Sequence, residues 1–247
     1  MIALQKGLAF CSACPVGEYS ASYGASKCTR CEYPMSTSTE GSQSCVYLGS
    51  VWPCEQSIPV GIKAIPNKAF YGCTSLKNVT IPSSVISIGD SVFHSCTGLT
   101  NVSLPSSVTS IGNSAFQDCT SLEVINIPSS VVAVGKSTFQ GCSGLISVTI
   151  PFALTSIGDS SFRDCTSLIR ISVPSNVVSI GDSAFQGCTG LVVLSLEEGS
   201  LKSIGSSAFY QTGLLSVFVP QVNPAIGLNA PLKHDTNVFL ISAASNS

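Results

Sequence analysis

The sequence predicts a solenoid of stacked coils, with a parallel β-sheet along one face and short helical or extended turns along the other, preceded by a small disulfide-rich module. Three observations predict it. Cys73, Cys96, Cys119, Cys142, Cys165 and Cys188 recur at a single 23-residue interval. Between them one apolar pattern repeats, L-x-x-V-x-I-P-x-x-V-x-x-I-G-x-x-A-F-x-G-C, from about Ser57 to Pro220. A second cysteine population, dense and poor in apolar neighbours, ends near residue 55. The expected organisation is a cysteine-rich module and cap over 1–55, a solenoid over 56–220, and a C-terminal cap or tail over 221–247.

In the module Cys11, Cys14, Cys28, Cys31 and Cys45 follow the spacing C-x2-C-x13-C-x2-C-x13-C, a 17-residue unit, and Cys54 stands after them. Paired C-x2-C motifs can chelate zinc tetrahedrally. The intervening loops, CPVGEYSASYGASKC and CEYPMSTSTEGSQSC, are small and polar and hold no histidine. That composition suits a mini-domain too poor in core to stand without staples. The run Cys14, Pro15, Gly17, Tyr19, Ser20, Gly24 and Cys28 resembles the ephrin-receptor-like and TNF-receptor-like cysteine-rich modules. The resemblance implies disulfides and an oxidising compartment, with Cys14 to Cys28 and Cys31 to Cys45 as the pairing to expect, although six cysteines allow fifteen connectivities. The second unit departs from it, since Glu-Tyr-Pro follows Cys31. Trp52-Pro53-Cys54 marks the junction, where Cys54 and the degenerate unit from Ser57 to Cys73 are expected to cover the first coil.

Within the repeat the V-x-I alternation has the period of a strand, and it stops at Pro82, Pro105, Pro128, Pro151 and Pro174, residues unable to donate to a ladder. A glycine then recurs at 89, 112, 135, 158, 181 and 205, as a sharp bend would require, and a phenylalanine at 70, 93, 116, 139, 162, 185 and 209. One coil alone cannot offset the entropy of ordering it, so the strands are expected to pair coil to coil in one continuous sheet. The unit resembles the 23-residue leucine-rich repeat of the BspA-like, or Treponema pallidum-type, class through L-x-x-[VI]-x-[IL]-P and I-G-x-x-A-F-x-x-C. That resemblance implies a cell-surface or secreted leucine-rich repeat solenoid used in adhesion or protein recognition, without naming a ligand.

Equivalent residues of neighbouring coils lie about 4.8 Å apart with parallel side chains. A row of parallel thiols is badly set for disulfides, which need Cβ atoms turned toward each other, and offers zinc no tetrahedron. The six repeat cysteines are therefore expected to be free, buried and packed. Thr212 takes the place of the next one, after a one-residue insertion near Glu197 and Glu198.

Charge is scarce, 10% of residues with a net of −2, which leaves no basic field for nucleic acid. Apolar runs are too short to span a membrane. MIALQKGLAF carries Lys6 where a signal peptide would be apolar, and NVFLISAASNS is too short to anchor the chain. A signal or anchor would then come from outside these residues. No catalytic pair emerges. His94 occupies a variable, exposed slot after the repeat phenylalanine; His234 lies beside Asp235 in the tail; Glu197 and Glu198 point to opposite faces if extended. One glycine per coil is no phosphate loop. No cofactor, metal or enzyme activity is expected.

With the apolar residues of L-x-x-V-x-I inward, the outer face carries Lys77, Asn78, Thr80; Thr100, Asn101, Ser103; Glu123, Val124, Asn126; Ile146, Ser147, Thr149; Ile169, Arg170, Ser172; and Val192, Val193, Ser195. This face is the expected binding surface for a protein or glycan. A second possibility is ice binding by the Ser/Thr/Asn column at 80, 103, 126, 149, 172 and 195, against which Lys77, Glu123 and Arg170 in the flanking columns argue. Asn78-Val79-Thr80 and Asn101-Val102-Ser103 are glycosylation triplets that would block the first two strands if occupied. The tail from Gln221, with Pro224 and Pro231, is expected to cover the last coil.

Overall fold

The computed structural model describes Trp52, Cys54, Ser57, Ile58, 60–197, Gly199 and 201–214, together with six short strands outside that stretch. Two compact units are present, Met1–Trp52 and Pro53–Ser247. In the first, Glu18–Tyr19 pairs antiparallel with Thr29–Arg30, and Met35–Ser36 pairs antiparallel with Val46–Tyr47. The second hairpin follows the first by one 17-residue cysteine unit, the spacing read from the sequence. Cys11, Cys14, Cys28, Cys31 and Cys45 lie outside the described residues.

The second unit is the solenoid. Its front strands are Asn78–Thr80, Asn101–Ser103, Val124–Asn126, Ser147–Thr149, Arg170–Val173 and Val193–Leu196, each beginning two residues after the opening leucine. All pair in parallel with the equivalent residues of an adjoining coil, as in Asn78 opposite Asn101. The parallel sheet expected on this face is present, and among the described residues its ladder joins coils two by two rather than running as one continuous sheet. Between the second and third pairs runs one long bond, from the Ile169 N–H to the Ile146 carbonyl at 3.5 Å. Proline after five of the six strands removes the next donor, while after the sixth the Glu197 N–H is given to the Val173 carbonyl at 3.0 Å.

On the far side the expected short extended turns pair into a second parallel ladder. Ala64–Ile65, Ser87–Ile88, Ser110–Ile111 and Ala133–Val134 form one sheet; Ser156–Ile157, Ser179–Ile180 and Ser203–Ile204 form another. The inserted residue shows here as a step one longer than the rest, Ser179 opposite Ser203. Further on, Ser216–Val219 pairs in parallel with Phe239–Ser242, Ser216 opposite Phe239, so the 23-residue interval reappears inside the tail.

Between the ladders lie the core columns. Phe70, Phe93, Phe116, Phe139, Phe162, Phe185 and Phe209 are buried and stack ring on ring at 5.2–5.6 Å, tilted by 3–17°. Such spacing lies inside the favourable range for aromatic pairs, and each ring adds its large apolar area to the core. Beside them runs the sulfur column. Each Sγ of Cys96, Cys119, Cys142, Cys165 and Cys188 donates to a phenylalanine carbonyl of the preceding coil, at 2.9–3.1 Å. The thiol is thus a packing residue with its one donor satisfied.

Cys73 corrects the expectation of six free thiols. It is the first cysteine of the column, with Tyr47 rather than a repeat phenylalanine 26 residues before it in the sequence, and it is bonded to Cys54 with Cα atoms 5.2 Å apart. Five buried thiols remain free. Stacking makes neighbours within the column poor partners, but Cys54 comes from outside the column and meets Cys73 head on.

The glycine expectation also needs correction. The glycines at 89, 112, 135, 158, 181 and 205 are outside the left-handed region; Ser91, Ser114, Ser137, Ser160, Ser183 and Ser207, two residues further on, occupy it at φ 53–55°. The residue before each repeat cysteine, from Gly72 to Gly187, is left-handed as well at 58–74°, and so is Gln211 before Thr212 at 56°. Each coil therefore turns twice through left-handed residues, and the glycine serves close approach instead. A Cβ on Gly112 would stand 2.6 Å from the Gly89 carbonyl carbon of the coil below.

Alternate amides of the turn reach the next coil. Ser91, Phe93 and Ser95 donate to the carbonyls of Asn113, Ala115 and Gln117 at 2.7–2.8 Å, and the same arrangement recurs up the stack. Side chains after the glycine, and Asn67 after Pro66 at the same position, join in: Asn67 Oδ1 accepts the Asp90 N–H, Asp90 Oδ1 that of Asn113, Asn113 Oδ1 that of Lys136, Asp159 Oδ1 that of Asp182 and Asp182 Oδ1 that of Ser206. Lys136 has no acceptor to continue the series. It makes instead an ion pair of 2.8 Å with Asp159.

Candidate functional site

The front strands alternate exposed, buried, exposed, because the valine or isoleucine between two outward residues points into the core. Lys77, Asn78, Thr80, Asn101, Ser103, Glu123, Asn126, Ser147, Thr149, Arg170, Ser172, Val193 and Ser195 are all exposed. Register sets Asn78 beside Asn101, Thr80 beside Ser103, Asn126 beside Thr149, Arg170 beside Val193 and Ser172 beside Ser195.

The face divides along its length in a way that sequence reading left undrawn. Lys77, Asn78, Thr80, Thr100, Asn101 and Ser103 make its first two strands wholly polar. From the third strand onward it carries exposed Val124, Ile146, Ile169, Val192 and Val193, each 43–57% exposed. A further apolar side chain, Phe152, is 60% exposed just past the fourth strand, where the other coils have Ser83, Ser106, Ser129 and Ser175. The signal was present in the sequence as a lone phenylalanine in a serine column. Glu123 and Arg170 are the charges set among these apolar groups.

Electrostatics adds little elsewhere. The side-chain hydrogen bond to Asp159 holds the Lys136 ammonium above its ordinary value and, reciprocally, the Asp159 carboxyl below its own. Burial pushes the thiols of Cys96 and Cys142 up to about 12, and those of Cys119 and Cys165 well above their ordinary value. Such thiols stay protonated and are neither nucleophiles nor metal ligands. Among the described residues no three His, Cys, Asp or Glu side chains gather as a metal would need.

His94 is half-buried rather than exposed, its side chain 18% accessible, because it stacks on Tyr71 at 4.7 Å in the adjoining coil. Its Nδ1 lies 2.8 Å from the Ser95 hydroxyl and its Nε2 4.0 Å from Asp118 Oδ2. The three residue types are those of an acyl-transfer relay. Yet at 4.0 Å the Asp118 carboxylate is beyond hydrogen-bond reach of the ring, and the Ser95 N–H is given to the Gln117 carbonyl. The group is a polar contact that ties two turns together. Glu197 is exposed, with its Oε2 accepting the Ser175 N–H, while His234, Asp235 and Glu198 lie outside the described residues.

Coils of fixed period with parallel ladders, a phenylalanine stack and a buried thiol column define a leucine-rich repeat solenoid. The BspA-type leucine-rich repeat model matches residues 54–132 and 121–230, and the chain belongs to that family. Residues 3–45 match the model described as tyrosine-protein kinase ephrin type A/B receptor-like. Among solved structures, the Treponema pallidum leucine-rich repeat protein is 37% identical, with 67% of this chain and 78% of that one covered and a TM-score of 0.56. A leucine-rich repeat protein from Bacteroides ovatus is 32% identical over 67% of this chain, TM-score 0.62, and the match spans only 43% of that longer protein. No curated protein matches the chain. Among the described residues no helix is long and apolar enough to cross a membrane.

Proposed function

We propose that this is a non-catalytic recognition or adhesion protein of the cell surface or extracellular space, and that it binds a protein or glycan ligand on the outer face of its front strands. The observation that carries the reading is the gathering of exposed Val124, Ile146, Ile169, Val192 and Val193 around Glu123 and Arg170, on a face whose inward positions are fully spent on packing. An apolar centre with few charges and a polar margin is the anatomy of a protein-binding patch. Family membership and the Cys54–Cys73 bond, which persists in oxidising surroundings, support the surface location.

The test is a binding screen against glycan arrays and surface proteins, repeated with Ile169→Ser, Arg170→Ala and Glu123→Ala. A captured ligand should lose affinity at least tenfold with Ile169→Ser, the size expected when a buried anchor is truncated. A ligand indifferent to all three changes would place the site elsewhere. The ice-binding alternative is answered by an ice recrystallisation assay, in which no activity is expected.

A further inference from the structure

Asn78 and Asn101 head the two strands of the polar end of the front face, and that end lacks the apolar groups that would make it a protein contact. They are also the only two asparagines of the chain followed two residues later by Ser or Thr with no intervening proline. We propose that Asn78 and Asn101 are acceptors for N-linked glycan; the inference rests on the surface reading above, since it needs passage through a secretory pathway.

The strand supplies the geometry. With Val79 and Val102 buried between them, acceptor and hydroxyl stand on one outward face, Asn78 beside Thr80 and Asn101 beside Ser103. Three other asparagines of the solenoid are already engaged. Asn67 Oδ1 and Asn113 Oδ1 accept backbone amides of the next coil, and Asn176 Nδ2 donates to the Phe152 carbonyl. Asn126, exposed like the two candidates, is followed by Pro128 at the hydroxyl position. Among the described residues neither Asn78 nor Asn101 spends its side chain on a hydrogen bond, and each can carry a substituent without disturbing a column of the core.

The donor is a polyprenyl-diphosphate-linked oligosaccharide. The Asn Nδ2 bonds to the anomeric carbon, the bond from that carbon to the diphosphate oxygen breaks, the polyprenyl diphosphate leaves, and the nitrogen gives up one proton. No oxidant or reductant enters. Because the two acceptors sit one strand spacing apart, about 4.8 Å, either glycan shields both polar strands. Ligand is then left the apolar half of the face.

The experiment takes the protein from the cells that make it, treats it with peptide-N-glycosidase in heavy-oxygen water, and maps residues 78 and 101 and the state of Cys54 and Cys73 by mass spectrometry. Expected are a heavy-oxygen aspartate at one or both positions and an intact Cys54–Cys73 bond. Asn78→Gln with Asn101→Gln should abolish the glycan, and so should Thr80→Val with Ser103→Ala, which leaves both amides in place. Unmodified Asn78 and Asn101 with Cys54–Cys73 bonded would overturn the glycan while leaving the surface reading standing. Unmodified asparagines with both cysteines reduced would overturn the two together.

Discussion

The same coil treats its inner and outer positions in opposite ways. Inside, one position is phenylalanine in all seven copies, and every ring is buried against the ring above or below it. Outside, one front-strand position is Asn78, Asn101, Val124, Ser147, Arg170 and Val193 in successive coils. Both positions recur once per coil on a repeated backbone, so repetition of the backbone does not by itself fix identity. What fixes it is the neighbour in the adjoining coil: a stacked ring accepts only another ring, and water accepts anything.

The largest effect that would break this contrast is alkaline. Cys96, Cys119, Cys142 and Cys165 have folded values raised above the unfolded one, 9.0, two of them to about 12. Above pH 9 the unfolded thiols release protons that the folded ones keep, so stability is complete below that pH and falls as pH rises toward 12. Each thiol should contribute a slope of about 1.4 kcal/mol per pH unit. Denaturation midpoints between pH 8 and 11 in chemical unfolding should fall steeply, and less steeply in Cys142→Ala.

Next comes the stack itself. Phe139→Ala, with rings on both sides, should cost about 3–5 kcal/mol, whereas Phe209→Ala, stacked on Phe185 from one side among the described residues, should cost less. Cys54→Ala removes the bond that closes a separation of 19 residues and should lose roughly 3 kcal/mol in the same assay. Smallest of all are front-face changes. Asn126→Ser and Arg170→Ala should shift stability by no more than about 0.5 kcal/mol, and a larger loss at either would mean that the outer face is part of the scaffold.

Much of the fold could be read from the sequence because its interactions are periodic. A column repeated once per coil announces itself, and the inserted residue before Lys202 is visible as a slipped glycine and phenylalanine. Three features stayed hidden for physical reasons. The bond at Cys73 belongs to the first cysteine of the column, which is a boundary condition and not a pattern. The left-handed serines were missed because glycine is the residue expected there, while the glycines answer to a neighbouring backbone that only the stacked structure reveals. The division of the front face was legible residue by residue but gained meaning only once backbone hydrogen bonds from coil to coil set Ile146, Ile169 and Val192 side by side and exposed.

Whether the 23-residue period is a packing period is tested most directly by differential alkylation of the native and denatured protein without reductant, with each cysteine mapped. Cys96, Cys119, Cys142, Cys165 and Cys188 should resist the reagent in the native protein and all react once it unfolds, while Cys54 and Cys73 react only after reduction. Rapid labelling of the column in the native protein, or a peptide joining two of its cysteines, would contradict it.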